Sequence, residues 1–218
     1  MKHYQLVVFD LDGTLLNTLD DLAGSVNYAL HTHGFPQHTL EEVRSYIGHG
    51  ISSLIRNALP AGTDDASHAL VLETFKPHYN AHQNDLTAPY PGVCELLESL
   101  QQAGIATAVL SNKSHRNVQE LCGAHFGKWI SLAAGEQEGI PRKPAPDGLL
   151  CVMKEMNVSA ENTLYVGDGD SDVVTAANAG VDFAAVTWGF RSEEQLRAAG
   201  AKNLFDSTEK LGDFISRG

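Results

Sequence analysis

The stretch Val7-Val8-Phe9-Asp10-Leu11-Asp12-Gly13-Thr14-Leu15 joins an apolar run to two acidic residues and a glycine. A short run rich in β-branched and aromatic residues predicts a buried strand over Leu6–Phe9. In an open parallel sheet, ligands bind in the crevice beyond the carboxyl ends of the strands. Asp10 and Asp12 point to the same side of an extended segment, with Cα atoms about 7 Å apart. Both acids can therefore reach one cation, although an Asp-Gly pair is also common in simple hairpin turns.

The composition is that of a soluble α/β protein. The chain has 218 residues, a formal net charge of −12 and 43% hydrophobic residues. The negative charge argues against binding to nucleic acid or to an anionic membrane surface, whereas an anionic small molecule can still bind beside a cation. No apolar run approaches the ~20 residues that cross a bilayer, the first residues lack a signal-peptide pattern, and an odd number of cysteines argues against a disulfide framework. We therefore expect a cytoplasmic protein. The sequence leaves open whether it is a monomer or a homodimer.

Strand-like and helix-like patterns alternate along the chain except in one long segment. Over residues 18–84 the apolar residues recur at helical spacing and no strand is evident. The proline-rich segment 85–92 returns the chain to the alternation, which predicts a parallel sheet with right-handed crossovers. The predicted fold is α/β, with a doubly wound parallel-sheet core (residues 1–15 and 86–218) that carries an inserted helical-bundle domain (residues 16–85).

Within the core, residue periodicity also predicts the individual elements. The predicted helices span residues 93–102, 116–122, 147–156 and 171–179, and the later strands span residues 105–110, 130–134, 163–166 and 181–186. Ser111 and Asn112 fall at the turn between a strand and a helix, where a hydroxyl and backbone N–H groups can cradle an anion. Asn112 could instead act mainly as the N-cap of that helix. We expect Lys113 to be structural or solvated.

The acids that follow the strands predict phosphoryl-transfer chemistry. Asp10, Asp12 and Asp168 should meet because the strands of a parallel sheet end at one edge. A carboxylate can act as a nucleophile toward phosphorus, and Mg²⁺ bound to Asp10 and Asp168 would shield it from the phosphate charge. Lys143 can neutralise the equatorial phosphate oxygens. Asp12 can protonate the leaving alkoxide and later activate water.

Four motifs in this order resemble those of the haloacid dehalogenase superfamily. Residues 7–14, 109–112, Lys143-Pro144 and 166–172 match the family patterns hhhhDxDG(T/V), hhhh(S/T)N, a Lys usually followed by Pro, and hhhhGDxxxD, where h is hydrophobic. The resemblance covers essentially the whole chain, and the helical insert looks like the family's type 1 cap. It implies a Mg²⁺-dependent hydrolase that acts on a small phosphorylated metabolite through an aspartyl phosphate.

The resemblance also implies roles for the matched residues. Asp10 would be the nucleophile, and Asp12 would be the acid and base, with its backbone carbonyl on the metal. The expected magnesium ligands and supporting acids are Asp10, Asp12, Asp168 and Asp172, and the expected substrate- or phosphate-binding residues are Thr14, Ser111, Asn112, Lys143 and His49.

One departure from the family pattern concerns the support of the metal. Gly169 stands where the family usually has Ser, and Asp170 adds an acid. We favour Asp172 over Asp170 because its four-residue spacing from Asp168 matches the family. Asp168 and Asp172 could also simply favour the dipole of the helix that they begin. His49, between two glycines, is either a residue that enters the site when a lid closes or a surface-loop histidine.

Finer detail resembles phosphoglycolate phosphatases. Residues 14–22, 47–50 and 111–113 carry this likeness, and Asp12 separates the chain from true dehalogenases, which lack this acid. Phosphoglycolate is therefore the expected substrate, and the alternatives are a β-phosphoglucomutase-type isomerase, a pyrophosphatase or a broad sugar phosphatase of the same superfamily.

The charges of the insert bear on these alternatives. An isomerase that retains a sugar bisphosphate would need extra basic residues over the site, and the Arg and Lys residues of the insert are Arg44, Arg56 and Lys76. We therefore favour hydrolysis. A non-catalytic binding protein would have lost a charged motif residue, and none is lost.

Overall fold

A computed structural model describes residues 4–217. The chain divides into two compact units: the first comprises the residues up to Leu16 together with those from Pro89 onward, and the second comprises Asn17–Ala88. Among the described residues, no helix has the length and apolar character that crossing a membrane requires.

The first unit is built on a six-stranded parallel sheet. The described residues contain eight strands, β1 (Leu6–Phe9), β2 (Leu16–Asn17), β3 (Ala88–Pro89), β4 (Ala106–Ser114), β5 (Leu132–Glu136), β6 (Thr163–Gly167), β7 (Asp182–Val186) and β8 (Asn203–Phe205). Of these, β2 and β3 form a separate two-stranded sheet. The large sheet has the order β5-β4-β1-β6-β7-β8, and its neighbouring strands are parallel. The chain leaves β1 toward β4 and β5 and then crosses back to β6, so β1 lies where ligands bind in such sheets. The predicted doubly wound parallel sheet is confirmed.

Helices cover this sheet and form the second unit. They are α1 (Leu19–Thr32), α2 (Leu40–Tyr46), α3 (Ile51–Ala58), α4 (Asp65–His82), α5 (Val93–Gln102), α6 (His115–Phe126), α7 (Asp147–Met156), α8 (Asp170–Ala179), α9 (Glu193–Ala198) and α10 (Thr208–Arg217). The second unit contains α1–α4. Side-chain caps fix several helix starts: Thr39 and Glu42 form a capping box on α2, and Asp64 caps α4.

β1 is buried on both faces, which explains its uninterrupted apolar run. Val7 and Phe9 belong to a core cluster that includes residues of α5, α6 and α10. Leu6 and Val8 belong to a second cluster, on the other face, with residues of α7 and α8. The acids that follow this strand therefore extend from a backbone that is fixed from both sides.

The predicted turn at Ser111 and Asn112 is wrong. β4 continues to Ser114, and a register shift after Leu110 lets Ser114 pair with Glu136 of β5. α6 begins only at His115, and Ser114, not Asn112, caps it by accepting from the N–H of Asn117. A polar Ser-Asn-Lys sequence is typical of a turn, but pairing with β5 keeps it extended.

Three further elements, α9, β8 and α10, follow the last predicted strand. α9 and β8 contain only 6 and 3 residues, which is too short to give a periodic signal. α10 has 10 residues, and its residues Leu211 and Ile215 join the core cluster that contains Val7 and Phe9.

Candidate active site

Asp10 stands at the end of the central strand β1. Its backbone N–H donates to the carbonyl of Val166 on β6 (2.8 Å). Its Oδ1 accepts from the N–H of Leu11 (2.7 Å), which fixes the rotation of the carboxylate. Asp10 is only 8% exposed, so its carboxyl group is held nearly out of water.

Asp168, which follows β6, is fixed by two other segments of the chain. Its Oδ1 accepts from the hydroxyl of Thr14 (2.9 Å), and its Oδ2 accepts from the backbone N–H of Phe190 (2.7 Å). Gly13 has φ +87°, and a Cβ at this position would overlap the Asp168 carboxylate. Gly13 is therefore required both by its backbone conformation and by the close approach of Asp168.

Lys143 joins two of the acids. Its Nζ lies 2.9 Å from Oδ1 of Asp10 and 2.6 Å from Oδ1 of Asp172. Asp172 also accepts from the hydroxyl of Tyr165 (2.8 Å) and, at Oδ2, from the N–H of Gly169 (3.0 Å). Burial works against the charged form of Lys143, but Asp10 and Asp172 outweigh it and raise the pKa of the ammonium.

Asn112 holds the segment that carries Lys143. Its Nδ2 donates to the carbonyl of Lys143 (3.0 Å), and its Oδ1 accepts from the N–H of Lys143 (2.9 Å). An amide that pairs in both directions with one backbone residue fixes the position of that residue. Asn112 thus links the end of β4 to the loop after β5.

Asp12 pairs with a lysine that we expected to be structural or solvated. Nζ of Lys113 lies 2.9 Å from Oδ1 of Asp12, and Lys113 is 6% exposed, so it is not solvated. The N–H of Lys113 donates to Oγ of Ser111 (3.3 Å). In an extended segment Ser111 and Lys113 share one face. A prediction that the strand continues through residues 111–113 would have put Lys113 on the same face as Ser111, and so in the site.

Three carboxylates form a cluster that fits a divalent cation. Oxygen atoms of Asp10, Asp168 and Asp172 lie within 4.8 Å of one another, and all three residues are buried. Burial raises the pKa of Asp168 to about 7, and burial raises the pKa of Asp10 well above its ordinary value in spite of Lys143. The positive groups of the protein therefore offset the negative charge of these buried carboxylates only in part. Hard oxygen donors in such a setting are the ligands that Mg²⁺ prefers.

Two predicted residues, Asp170 and His49, remain to be placed. Asp170, the alternative to Asp172, pairs with Arg191 (3.4 Å), its side chain is 44% exposed, and it does not belong to the cluster found among residues 4–217. His49 belongs to the second unit, between α2 and α3, and its role stays a prediction.

Sequence reasoning missed two other groups that hold the site. Tyr165 lies inside β6, so from the sequence we would expect it to be an ordinary core residue. The N–H of Phe190 is a backbone group, so the pattern of side chains cannot predict its hydrogen bond to Asp168. Trp188 also donates its indole N–H to the carbonyl of Thr14 (3.0 Å).

Comparison with known proteins agrees with the geometry. Residues 7–186 match the family model of the haloacid dehalogenase-like hydrolases. A phosphoglycolate phosphatase of Pseudomonas fluorescens (strain Pf0-1) is 35% identical over 215 residues, which span 95% of this chain and 78% of that protein. A phosphoglycolate phosphatase of Vibrio parahaemolyticus serotype O3:K6 (strain RIMD 2210633) is 33% identical over 219 residues, 97% of this chain and 96% of that protein.

A solved structure extends the comparison to three dimensions. The crystal structure of a protein from Lactobacillus delbrueckii subsp. bulgaricus ATCC BAA-365 superposes with a TM-score of 0.94 at 34% identity and covers 98% of both chains. The sequence resemblance is therefore confirmed along almost the whole chain. By its motifs, its fold and these relatives, the chain belongs to the haloacid dehalogenase-like hydrolases and is a phosphatase.

Proposed function

We propose that this phosphatase hydrolyses a small phosphomonoester through an aspartyl phosphate on Asp10, with Mg²⁺ as its cofactor and phosphoglycolate as its leading substrate. The observation that carries the proposal is the position of Asp10. Its carboxylate lies 2.9 Å from the ammonium of Lys143 and clusters with the carboxylates of Asp168 and Asp172. A buried nucleophile, a buried cation and a set of hard oxygen donors thus meet at one end of β1.

The carboxylates of Asp10 and Asp168 and the backbone carbonyl of Asp12 would hold Mg²⁺, which when bound would offset the repulsion between the nucleophile and the phosphate. Asp172 belongs to the same cluster, but both of its oxygens accept hydrogen bonds, one of them from Lys143. We propose that Asp172 supports the ion mainly by holding Lys143. Thr14 would act in a similar way by fixing Asp168.

The reaction would proceed in two steps. In the first, a carboxylate oxygen of Asp10 bonds to phosphorus, the bond from phosphorus to the leaving oxygen breaks, and Asp12 gives that oxygen a proton. In the second, a water oxygen bonds to phosphorus, Asp12 takes a water proton, and the bond to Asp10 breaks. Lys143 and Ser111 would bind the phosphoryl oxygens, while Asn112 keeps Lys143 in place.

The relatives and the second unit favour phosphoglycolate over a bisphosphate. Both curated relatives described above are phosphoglycolate phosphatases. In the second unit, Arg44 pairs with Glu41 (3.4 Å) and Arg56 pairs with Asp65 (2.6 Å), so these two cations are partly compensated within their own unit. Such a unit offers little charge for a second phosphate. We propose that His49 contributes to substrate binding.

We also propose a cytoplasmic location. The thiols of Cys94, Cys122 and Cys151 are free, which suits a reducing compartment. Burial raises the pKa of the Cys122 thiol to about 12, so this group is inert and serves packing.

Release of inorganic phosphate from a panel of compounds tests the proposal. The panel contains phosphoglycolate, several sugar phosphates, pyrophosphate and β-glucose 1-phosphate, each with Mg²⁺ and with EDTA. We expect Mg²⁺-dependent release that strongly favours phosphoglycolate. Conversion of β-glucose 1-phosphate to glucose 6-phosphate without phosphate release would overturn the proposal in favour of an isomerase.

A further inference from the structure

A second lysine is buried in the site, and it contacts a different acid from Lys143. The Lys113 side chain is 4% exposed, the Asp12 side chain is 14% exposed, and Nζ lies 2.9 Å from Oδ1. A lysine ammonium is strongly hydrated and is almost never fully buried unless it is paired. Lys143 contacts Asp10 and Asp172, whereas Lys113 contacts Asp12. The two buried lysines therefore pair with different acids.

The pairing of β4 with β5 fixes the backbone around Lys113. The register shift between Leu110 and Ser114 carries β4 past its regular pairing with β5. On β5, a Cβ at Gly135 would lie 2.6 Å from the carbonyl oxygen of Lys113 and 2.8 Å from the backbone nitrogen of His115. Only glycine lets the two strands approach this closely. The position of Lys113 thus depends on a specific contact between β4 and β5.

We propose that Lys113 is a positioning residue that anchors the Asp12 carboxylate for hydrolysis of the aspartyl phosphate. This inference rests on the proposed function. In that step a water oxygen bonds to phosphorus, one water proton passes to Asp12, the bond from phosphorus to Asp10 breaks, and inorganic phosphate leaves. An ammonium on Oδ1 restricts the rotation of the Asp12 carboxylate, so the proton acceptor is already oriented when water enters.

The test is the Lys113→Met variant with p-nitrophenyl phosphate. This leaving group departs without a proton, so the first step is insensitive to Asp12 and the second step becomes limiting. We expect a burst of p-nitrophenolate of about one per enzyme, phosphorylated Asp10 that accumulates, and a kcat at least ~10-fold below wild type, since acid–base catalysis contributes about 10²–10⁴-fold. The value of kcat/KM, which reports only steps up to phosphoryl transfer, should stay unchanged.

Three further variants isolate the effect. Lys113→Arg keeps the positive charge and should restore part of kcat. Lys210→Met removes an exposed lysine from its ion pair with Asp206 (2.7 Å) and should change neither constant. In an Asp12→Asn background, Lys113→Met should change kcat less than about twofold, because Lys113 acts through Asp12.

The outcomes separate this inference from the proposed function. Equal losses of kcat and kcat/KM in Lys113→Met, or losses that multiply in the double variant, would overturn the positioning role. If a melting experiment shows that Lys113→Met does not fold, Lys113→Arg takes its place. The coupling to Asp12 is then measured from Lys113→Arg alone and from Lys113→Arg combined with Asp12→Asn. A wild-type protein without metal-dependent hydrolysis of any phosphomonoester would overturn the proposed function and this inference with it.

Discussion

Lys143 shows how the charges of single residues are balanced in this site. Its ammonium contacts Asp10 and Asp172, and its side chain is 4% exposed. Removing one partner of a buried ion pair costs far more than breaking a surface pair, because the remaining charge is left without compensation. Loss of this ammonium would therefore leave the buried charges of Asp10 and Asp172 without their shared cation.

We predict that Lys143→Met lowers the free energy of unfolding by about 3–5 kcal/mol and removes phosphatase activity. Chemical denaturation without metal measures the first effect, and phosphate release measures the second. The matched control is Lys210→Met, which removes an exposed lysine and should change stability by less than about 1 kcal/mol. Equal stability losses in the two variants would contradict the account of Lys143.

The pKa of Asp168 predicts how stability depends on pH and metal. Burial and, to a smaller extent, the nearby carboxylate of Asp172 together raise this pKa to about 7. Because the pKa is higher in the folded than in the unfolded chain, the contribution of Asp168 to stability is full below about pH 4 and is lost as the pH rises toward about 7. A divalent cation bound to the ionised carboxylate would reverse this loss.

We therefore expect Mg²⁺ to raise the melting temperature more at about pH 8 than at about pH 5.5, since metal ligands must be deprotonated. The exposed acid Asp213, paired with Arg217 (2.6 Å), supplies the control: Asp213→Asn should leave the difference intact, whereas Asp168→Asn should abolish it. An increase in melting temperature that is the same at both pH values would show that these buried carboxylates do not bind the ion.

Among the helices and strands, the sequence predicted the bounds correctly where a periodic apolar pattern is bordered by residues that end such elements. The bounds of β1, α5 and α7 match the predicted residues because an apolar pattern begins and ends at a glycine, proline or polar segment. The segment after Leu110 was mistaken for a turn because its residues are polar. Its extended form depends on pairing between Ser114 and Glu136, which is a tertiary contact.

The close approach of β4 and β5 at Gly135 gives a prediction for this element. Gly135→Ala adds one methyl group that meets the Lys113 carbonyl and the His115 backbone, so we expect a stability loss of about 1–3 kcal/mol and a lower kcat. Gly123→Ala on α6 has open space around its Cβ and should stabilise the protein by about 0.5–1 kcal/mol. Thermal melts of the two variants that shift in the same direction would contradict this contact.

At the scale of the whole molecule, the order of the strands explains how much of the site was predictable. Asp10 and Asp168 follow neighbouring parallel strands, β1 and β6, so their meeting follows from the sheet alone. Lys113 and Tyr165 were missed because they reach their partners through side-chain packing. His49 lies in the other unit, and its role in substrate binding stays a prediction, because a fold does not specify a substrate.

The central claim is that Asp10 carries the phosphoryl group, and rapid acid quench followed by peptide mass analysis tests it most directly. During turnover of phosphoglycolate with Mg²⁺, the peptide that contains Asp10 should gain the mass of one phosphoryl group, and EDTA should prevent the gain. Asp10→Asn should lose both the adduct and turnover, while Asp12→Asn should turn over more slowly and still bind the substrate. Full activity of Asp10→Asn, or an adduct on another residue, would contradict the account.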